Sequence, residues 1–257
     1  VTISARSGVD GRCPGISVVV PLRDEAESVA ALVVAVTESF TALGREDWEL
    51  LLIDDGSEDD TAGIARRFAR EDDRIRLLRF ARNYGQSQAL QAGFDHARGA
   101  IVITMDGDLR NDPADFDVLL DKLSKGYDVV AGYRVDRADA LLTRRLPSSI
   151  ANAAIRWLTR LPIRDTGCTL KTFRREVIDR IDLYADQHRF IPVLAAASSG
   201  ARIAEVPVRH HARRFGTSKD GLGRVPRVLA LIGEIIVYLN ARYLGRSPGY
   251  RLREGDE

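Results

Sequence analysis

Ala100-Ile101-Val102-Ile103-Thr104-Met105-Asp106-Gly107-Asp108-Leu109 is an apolar run that ends on two carboxylates one residue apart. Residues 100–105 are apolar or β-branched and contain no turn former, the composition of a buried strand. The turn that follows breaks the strict alternation of side-chain faces, so Asp106 and Asp108 can aim at one point. Hard carboxylate oxygens suit Mg²⁺ or Mn²⁺, and such ions commonly bridge a protein carboxylate to phosphate oxygens. An isolated pair of this kind is also a common polar turn in which Asp caps a helix. The neighbouring segments choose between the two readings.

Upstream, 16–20 is a short β-branched run ended by Pro21, and 48–53 a second run ended by Asp54-Asp55-Gly56-Ser57. Residues 75–80 and 127–131 complete a set of five strands. Helical spacing over 25–43, a polar helix to about 70, a helix over 86–97 closed by Gly99 and another over 113–125 fill the intervals. Strands alternating with helices of this length predict an α/β domain, its mostly parallel central sheet flanked by helices. In such sheets ligands lie beyond the carboxyl ends of the strands, where the acidic turns after the second and fourth strands fall.

Past residue 134 the rhythm changes. Residues 134–146 are basic and loop-like, 148–160 helical, 167–173 and 202–208 short strands, and 209–223 a basic, glycine-spaced loop. The domain division is a loose lead-in over 1–14, one catalytic domain over 15–225, and an amphipathic C-terminal helix and tail over 226–257.

The chain has 257 residues, enough for one large domain with a real core. A net charge of +1 supplies no global field to recruit DNA or RNA. Local charge is more telling: acidic residues gather over 54–60 and 106–117, basic ones over 134–145 and 202–227, a division that suits a metal–donor site beside an anionic acceptor. Cys13 and Cys168 lack metal-ligand spacing, which makes a reduced, cytosolic setting the expectation. No secretory leader is visible. No window reaches the ~18 uninterrupted apolar residues of a membrane span. The nearest, 225–244, is broken by Arg227, Glu234 and Arg242 and reads as an amphipathic or juxtamembrane helix.

The strand exits Pro21-Leu22-Arg23-Asp24-Glu25, Ile53-Asp54-Asp55-Gly56-Ser57 and Met105-Asp106-Gly107-Asp108-Leu109 occur in an order that resembles the inverting family 2 glycosyltransferases of GT-A fold. Arg82-Asn83-Tyr84-Gly85-Gln86, Asp165-Thr166-Gly167-Cys168 with Lys171, His188-Arg189-Phe190-Ile191-Pro192, and Gly216-Thr217-Ser218-Lys219 extend the resemblance over about 15–225. Within the family the chain looks like the dolichol-phosphate mannose synthase and bacterial polyprenyl-phosphate sugar transferase branch.

The resemblance implies transfer of a sugar from a nucleotide-diphosphate sugar to a polyprenyl (dolichyl or undecaprenyl) phosphate, with Mg²⁺ or Mn²⁺ as cofactor. It places Pro21, Arg23, Glu25, Ile53, Asp55, Asp106, Gly107, Arg110 and Lys219 at the nucleotide-sugar. It makes Asp106 and Asp108 the metal ligands, and Asp165 with Asp108 the catalytic carboxylates. Arg134, Arg145, Ser149, Arg214 and Ser218 fall at the acceptor phosphate. It also implies peripheral contact with the inner face of the membrane from the cytoplasmic side, and leaves open a homo-oligomer or a separate membrane partner. Histidines 188, 210 and 211 have no zinc spacing and read as structural.

Two positions depart from the family pattern. Arg110 stands where a further metal-binding Gln is usual, and a guanidinium cannot ligate metal. Asp220 replaces an aromatic residue. Two rival readings stand beside the first: a glycosyltransferase of the same fold with a soluble or polymeric acceptor, and a nucleotide-binding module without catalysis. The first strand leads into Pro-Leu-Arg-Asp-Glu and not a glycine fingerprint, which argues against a dinucleotide oxidoreductase.

Overall fold

The computed structural model describes residues 14–135, 163–183 and 187–212. The first half alternates as its sequence predicts: β1 (Ile16–Leu22), α1 (Ala26–Ala42), β2 (Trp48–Asp54), α2 (Thr61–Glu71), β3 (Ile75–Arg79), α3 (Gln86–His96) and β4 (Ile101–Thr104). A 3-10 turn, Pro113–Asp115, runs into α4 (Phe116–Ser124), and β5 (Val129–Arg134), β6 (Lys171–Arg174) and β7 (Ile203–Val208) follow. All seven strands form one sheet in the order β3-β2-β1-β4-β6-β5-β7. Every neighbouring pair is parallel except the two that β6 makes, with β4 and with β5. The sheet is therefore mostly parallel, with one reversed strand set into its middle.

The alternation of side chains along β1 sorts the core into two layers. Val18, Val20 and Leu22 face α1 and α4, packing with Leu32, Val36, Phe40, Leu119 and Leu123. Val19 faces the other way, toward Ala89, Ala92 and Phe94 of α3. All of these are buried, and each valine, leucine or phenylalanine among them contributes roughly 1.5–3 kcal/mol. At Gly93 an added Cβ would run into the side chain of Val19, so glycine sets how closely α3 approaches the sheet.

β1 continues two residues past its expected end, through Pro21 to Leu22. Val19 turns its carbonyl toward β4 and accepts from Met105 N at 3.3 Å. Two residues later the imide nitrogen of Pro21 points the same way, but β4 stops pairing at the Val19–Thr104 register. The missing N–H of proline falls where the ladder does not need it, while Pro21 still pairs with Ile53 on the other side.

Candidate active site

β1, β2 and β4 are adjacent and parallel, so their carboxyl ends open on one edge. At the end of β2, the carboxylate of Asp55 accepts from Tyr84 N at 2.6 Å and from Gly85 N at 2.9 Å. Gly56 has φ 66°, and a Cβ there would lie 2.5 Å from the carbonyl carbon of Arg82. The loop before α3 is thus docked directly on the end of β2. Burial pushes Asp55 above the usual carboxylate range, against the two N–H bonds and the charge of Arg23.

The exit of β1 interlocks with the same segment. Arg23 Nη1 donates to Asp55 O at 2.9 Å, Asp24 N to Ser57 Oγ at 2.9 Å, and Glu25 N to Thr61 Oγ1 at 2.7 Å. Asp24 returns an acceptor to Glu58 N at 2.8 Å. Ile53 is completely buried, so its side chain belongs to the core and not to the cleft.

At the end of β4, Gly107 sits against Leu22, whose side chain a Cβ would strike, and Asp108 is buried. Asp108 accepts from Arg110 N at 3.2 Å, and Asp106 accepts from Gln86 Nε2, at the first residue of α3, at 2.8 Å. Burial raises the pKa of Asp106, and the neighbouring charge of Asp108 raises it further; Lys171 and Arg134 oppose this. The only non-glycine residues with positive φ among those described are Asp24 (47°) and Leu109 (55°), both beside these turns. Local backbone strain of this kind persists only where the surroundings over-determine it.

Asp165 and Arg134 form the second charged pair. Arg134 Nε and Nη2 reach the two carboxylate oxygens at 2.7 and 2.9 Å. Both residues are largely withdrawn from solvent, and the fork geometry makes this a strong, directional contact. Glu205 on β7 holds the segment from behind, accepting from Arg164 N at 2.7 Å and Asp165 N at 3.2 Å.

The residues brought together include three that the sequence reading quoted in motifs without assigning them to the site, His188 being read there as structural. Gln86, Lys171 and His188 line a cleft with Pro21, Asp106 and Thr169. Lys171 is buried and donates to the carbonyl of Cys168; burial lowers its pKa. His188 Nδ1 lies 3.0 Å from Ser87 Oγ, and burial, helped by Arg189 and Lys171, pushes its pKa down to about 3. The ring is therefore neutral at physiological pH. Burial pushes the Cys168 thiol up to about 11, which leaves it an unreactive packing residue. Arg145, Ser149, Arg214, Ser218 and Lys219, and the expected helix within 226–257, lie outside the described residues.

Among the described residues no group of three or more His, Cys, Asp or Glu forms a complete metal cage. The pair Asp106 and Asp108 fits a different kind of ion, one held by one or two carboxylates and completed by phosphate and water, as Mg²⁺ commonly is. The mutual repulsion that raises Asp106 is the repulsion a bound cation would relieve.

Residues 17–182 match the family described as glycosyl transferase family 2. The chain belongs to that family. This glycosyltransferase is 40% identical over 238 residues to dodecaprenyl-phosphate galacturonate synthase of Rhizobium johnstonii, covering 91% of this chain and 69% of that one. It is 37% identical over 237 residues to undecaprenyl-phosphate 4-deoxy-4-formamido-L-arabinose transferase of Salmonella paratyphi B, covering 86% of this chain and 72% of the other. Its fold is that of a crystal structure of glucosyl-3-phosphoglycerate synthase from Mycobacterium tuberculosis in complex with Mn²⁺, uridine diphosphate and phosphoglyceric acid. The TM-score is 0.66 at 20% identity, with 93% of this chain and 86% of that one covered. The sheet is thus the GT-A sheet, and the resemblance read from the strand exits holds for family, fold and branch.

Proposed function

We propose that this glycosyltransferase moves a sugar from a nucleoside-diphosphate donor to the phosphate of a polyprenyl lipid, with inversion at the anomeric carbon, at a divalent ion held by Asp106 and Asp108. The observation that carries the reading is the Asp106-Gly107-Asp108 turn at the end of β4, with the Arg134–Asp165 pair near enough for Arg134 to act on Asp106. Two relatives above 35% identity are named for transfer to a polyprenyl phosphate. The ion, Mg²⁺ or Mn²⁺, would offset charge on the departing diphosphate.

The chain's own residues do the rest. An acceptor phosphate oxygen is already anionic, so it attacks C1 of the sugar without a strong general base. The C1–O bond to the diphosphate breaks and its electron pair leaves with the nucleotide. Asp165 orients the Arg134 fork, whose Nη1 takes no part in that pair and is the edge offered to the acceptor phosphate. Arg110 follows the metal turn and supplies a cation to the diphosphate. The interlocked exits of β1 and β2 preorganise the nucleotide end, so little ordering remains to be done on binding.

The test is transfer from a panel of nucleotide-sugars to undecaprenyl phosphate with Mn²⁺, followed by extraction of a sugar-labelled lipid. Label appearing only in a soluble acceptor would replace the lipid reading. Nucleotide binding without any donor turnover would replace both with the non-catalytic one.

A further inference from the structure

The segment 110–115, which follows the metal turn, is clamped by the residues that leave β7. Arg110 O accepts from His211 N at 2.8 Å, and Asn111 and His210 form an isolated antiparallel bridge. Arg209 N and Nε donate to the two oxygens of Asp115 at 2.6 and 2.8 Å. Asp112 stands at the centre. Its Oδ1 caps the 3-10 turn through Ala114 N at 3.0 Å, and its Oδ2 meets Arg209 Nη1 and His211 Nε2, each at 3.2 Å. Burial alone would raise the carboxyl pKa of Asp112, yet Ala114 N–H, His211 and Arg209 together hold it low. On the inner side, Asn111 Nδ2 donates to Thr169 Oγ1 at 2.8 Å.

We infer that Asp112 is a positioning residue for the metal turn. The turn contains Leu109 in the left-handed region, one residue from Asp108, and Arg110 N–H is bonded to the Asp108 carboxylate. A strained residue at this point relaxes unless both sides are held. The inner side is held by Gly107 against Leu22, and the outer side by the Asp112 clamp acting on the carbonyl of Arg110. The half-exposed ion pairs contribute little as isolated charges. Their effect is geometric, because main-chain bonds of 209–211 are formed in the same register. Asp112 thereby fixes where the Asp108 oxygens point without touching the ion.

This inference rests on the proposed metal site, and the test separates the two. Mn²⁺ binding is followed by electron paramagnetic resonance in the presence of uridine diphosphate, with circular dichroism as a fold control. Asp112→Ala should weaken Mn²⁺ affinity by about tenfold or more, the usual result of removing a group that orients a ligand. Arg209→Ala, which leaves the cap on Ala114 intact, should act in the same direction, and the double variant should be no worse than the stronger single one. Asp112→Asn, which can keep the acceptor for Ala114 N but sets an NH₂ donor where Oδ2 meets Arg209 and His211, should lose affinity to about the extent of Arg209→Ala. A folded Asp112→Ala protein with wild-type Mn²⁺ affinity overturns the clamp alone. If Asp112→Ala does not fold, an unchanged affinity in Arg209→Ala overturns it. A wild-type protein with no bound Mn²⁺ signal overturns the metal site and the clamp with it.

Discussion

Asp108 is the residue on which most depends. It is buried and accepts from Arg110 N, and an amide in its place would keep the shape while removing the charge. Asp108→Asn should lower transfer by at least about a hundredfold while leaving thermal stability nearly unchanged. Full activity in that variant, or in EDTA, would end the metal reading. His188 gives a second prediction, about pH. Its folded pKa, about 3, lies below the ordinary histidine value of 6.5. Below 6.5 the unfolded chain takes up a proton that the folded chain refuses, so stability falls with pH at roughly 1.4 kcal/mol per unit from this group. Urea midpoints between pH 6.5 and 4 should decline less steeply, by about one proton, in His188→Asn. Parallel limbs would show that the imidazole is reached by solvent. The carboxylates at strand ends were legible in the sequence because each terminates an apolar run. Gln86, Lys171 and His188 stand in the motifs that carry the resemblance, but their meeting in one cleft was not legible, because it comes only through the β4–β6 pairing and the docking of α3.

The elements of the first half were read correctly because period and punctuation agree there. Helices α1 and α3 begin and end within a residue or so of expectation. The second half was read less well. The strand expected over 167–173 begins later, at Lys171, and runs antiparallel. Residues 165–170 are spent on a turn in which Gly167 N donates to Asp165 Oδ1 at 3.2 Å. Direction is a property of connections, and a short apolar run carries no mark of it. Gly93 supplies the prediction here. Alanine would gain about 1 kcal/mol of helix propensity in α3. Against that, the new methyl meets Val19 in a strand buried on both faces, and overpacking at such sites costs about 1–3 kcal/mol. The second effect should win, so Gly93→Ala should lower the urea midpoint. A raised midpoint would mean that Val19 turns aside at no cost.

For the molecule as a whole, transfer to a lipid acceptor requires contact with a membrane surface. No helix among the described residues is long and apolar enough to cross a membrane. The sequence places cations over 209–227 immediately before an apolar stretch over 228–239. Cations near an anionic leaflet contribute roughly 1 kcal/mol each, and an amphipathic face adds interfacial burial. Co-sedimentation with anionic liposomes should therefore occur at low salt, fall as salt rises, and fall again on removal of residues 226–257. Indifference to such vesicles, together with glycosylation of a water-soluble acceptor, would favour the soluble-acceptor reading. The reversed strand has its own consequence for how this molecule comes apart. In the sheet, β6 alone joins the block β3-β2-β1-β4 to the block β5-β7, through four residues. A transient opening confined to β6 would leave the block β3-β2-β1-β4, proposed to hold the nucleotide, able to keep its own ladder while Arg134 and Asp165 drift from Asp106. Amide hydrogens of β6 should then exchange by a lower-energy opening than those of β1 and β2. The molecule would lose the capacity to complete the reaction before it loses the capacity to hold the nucleotide.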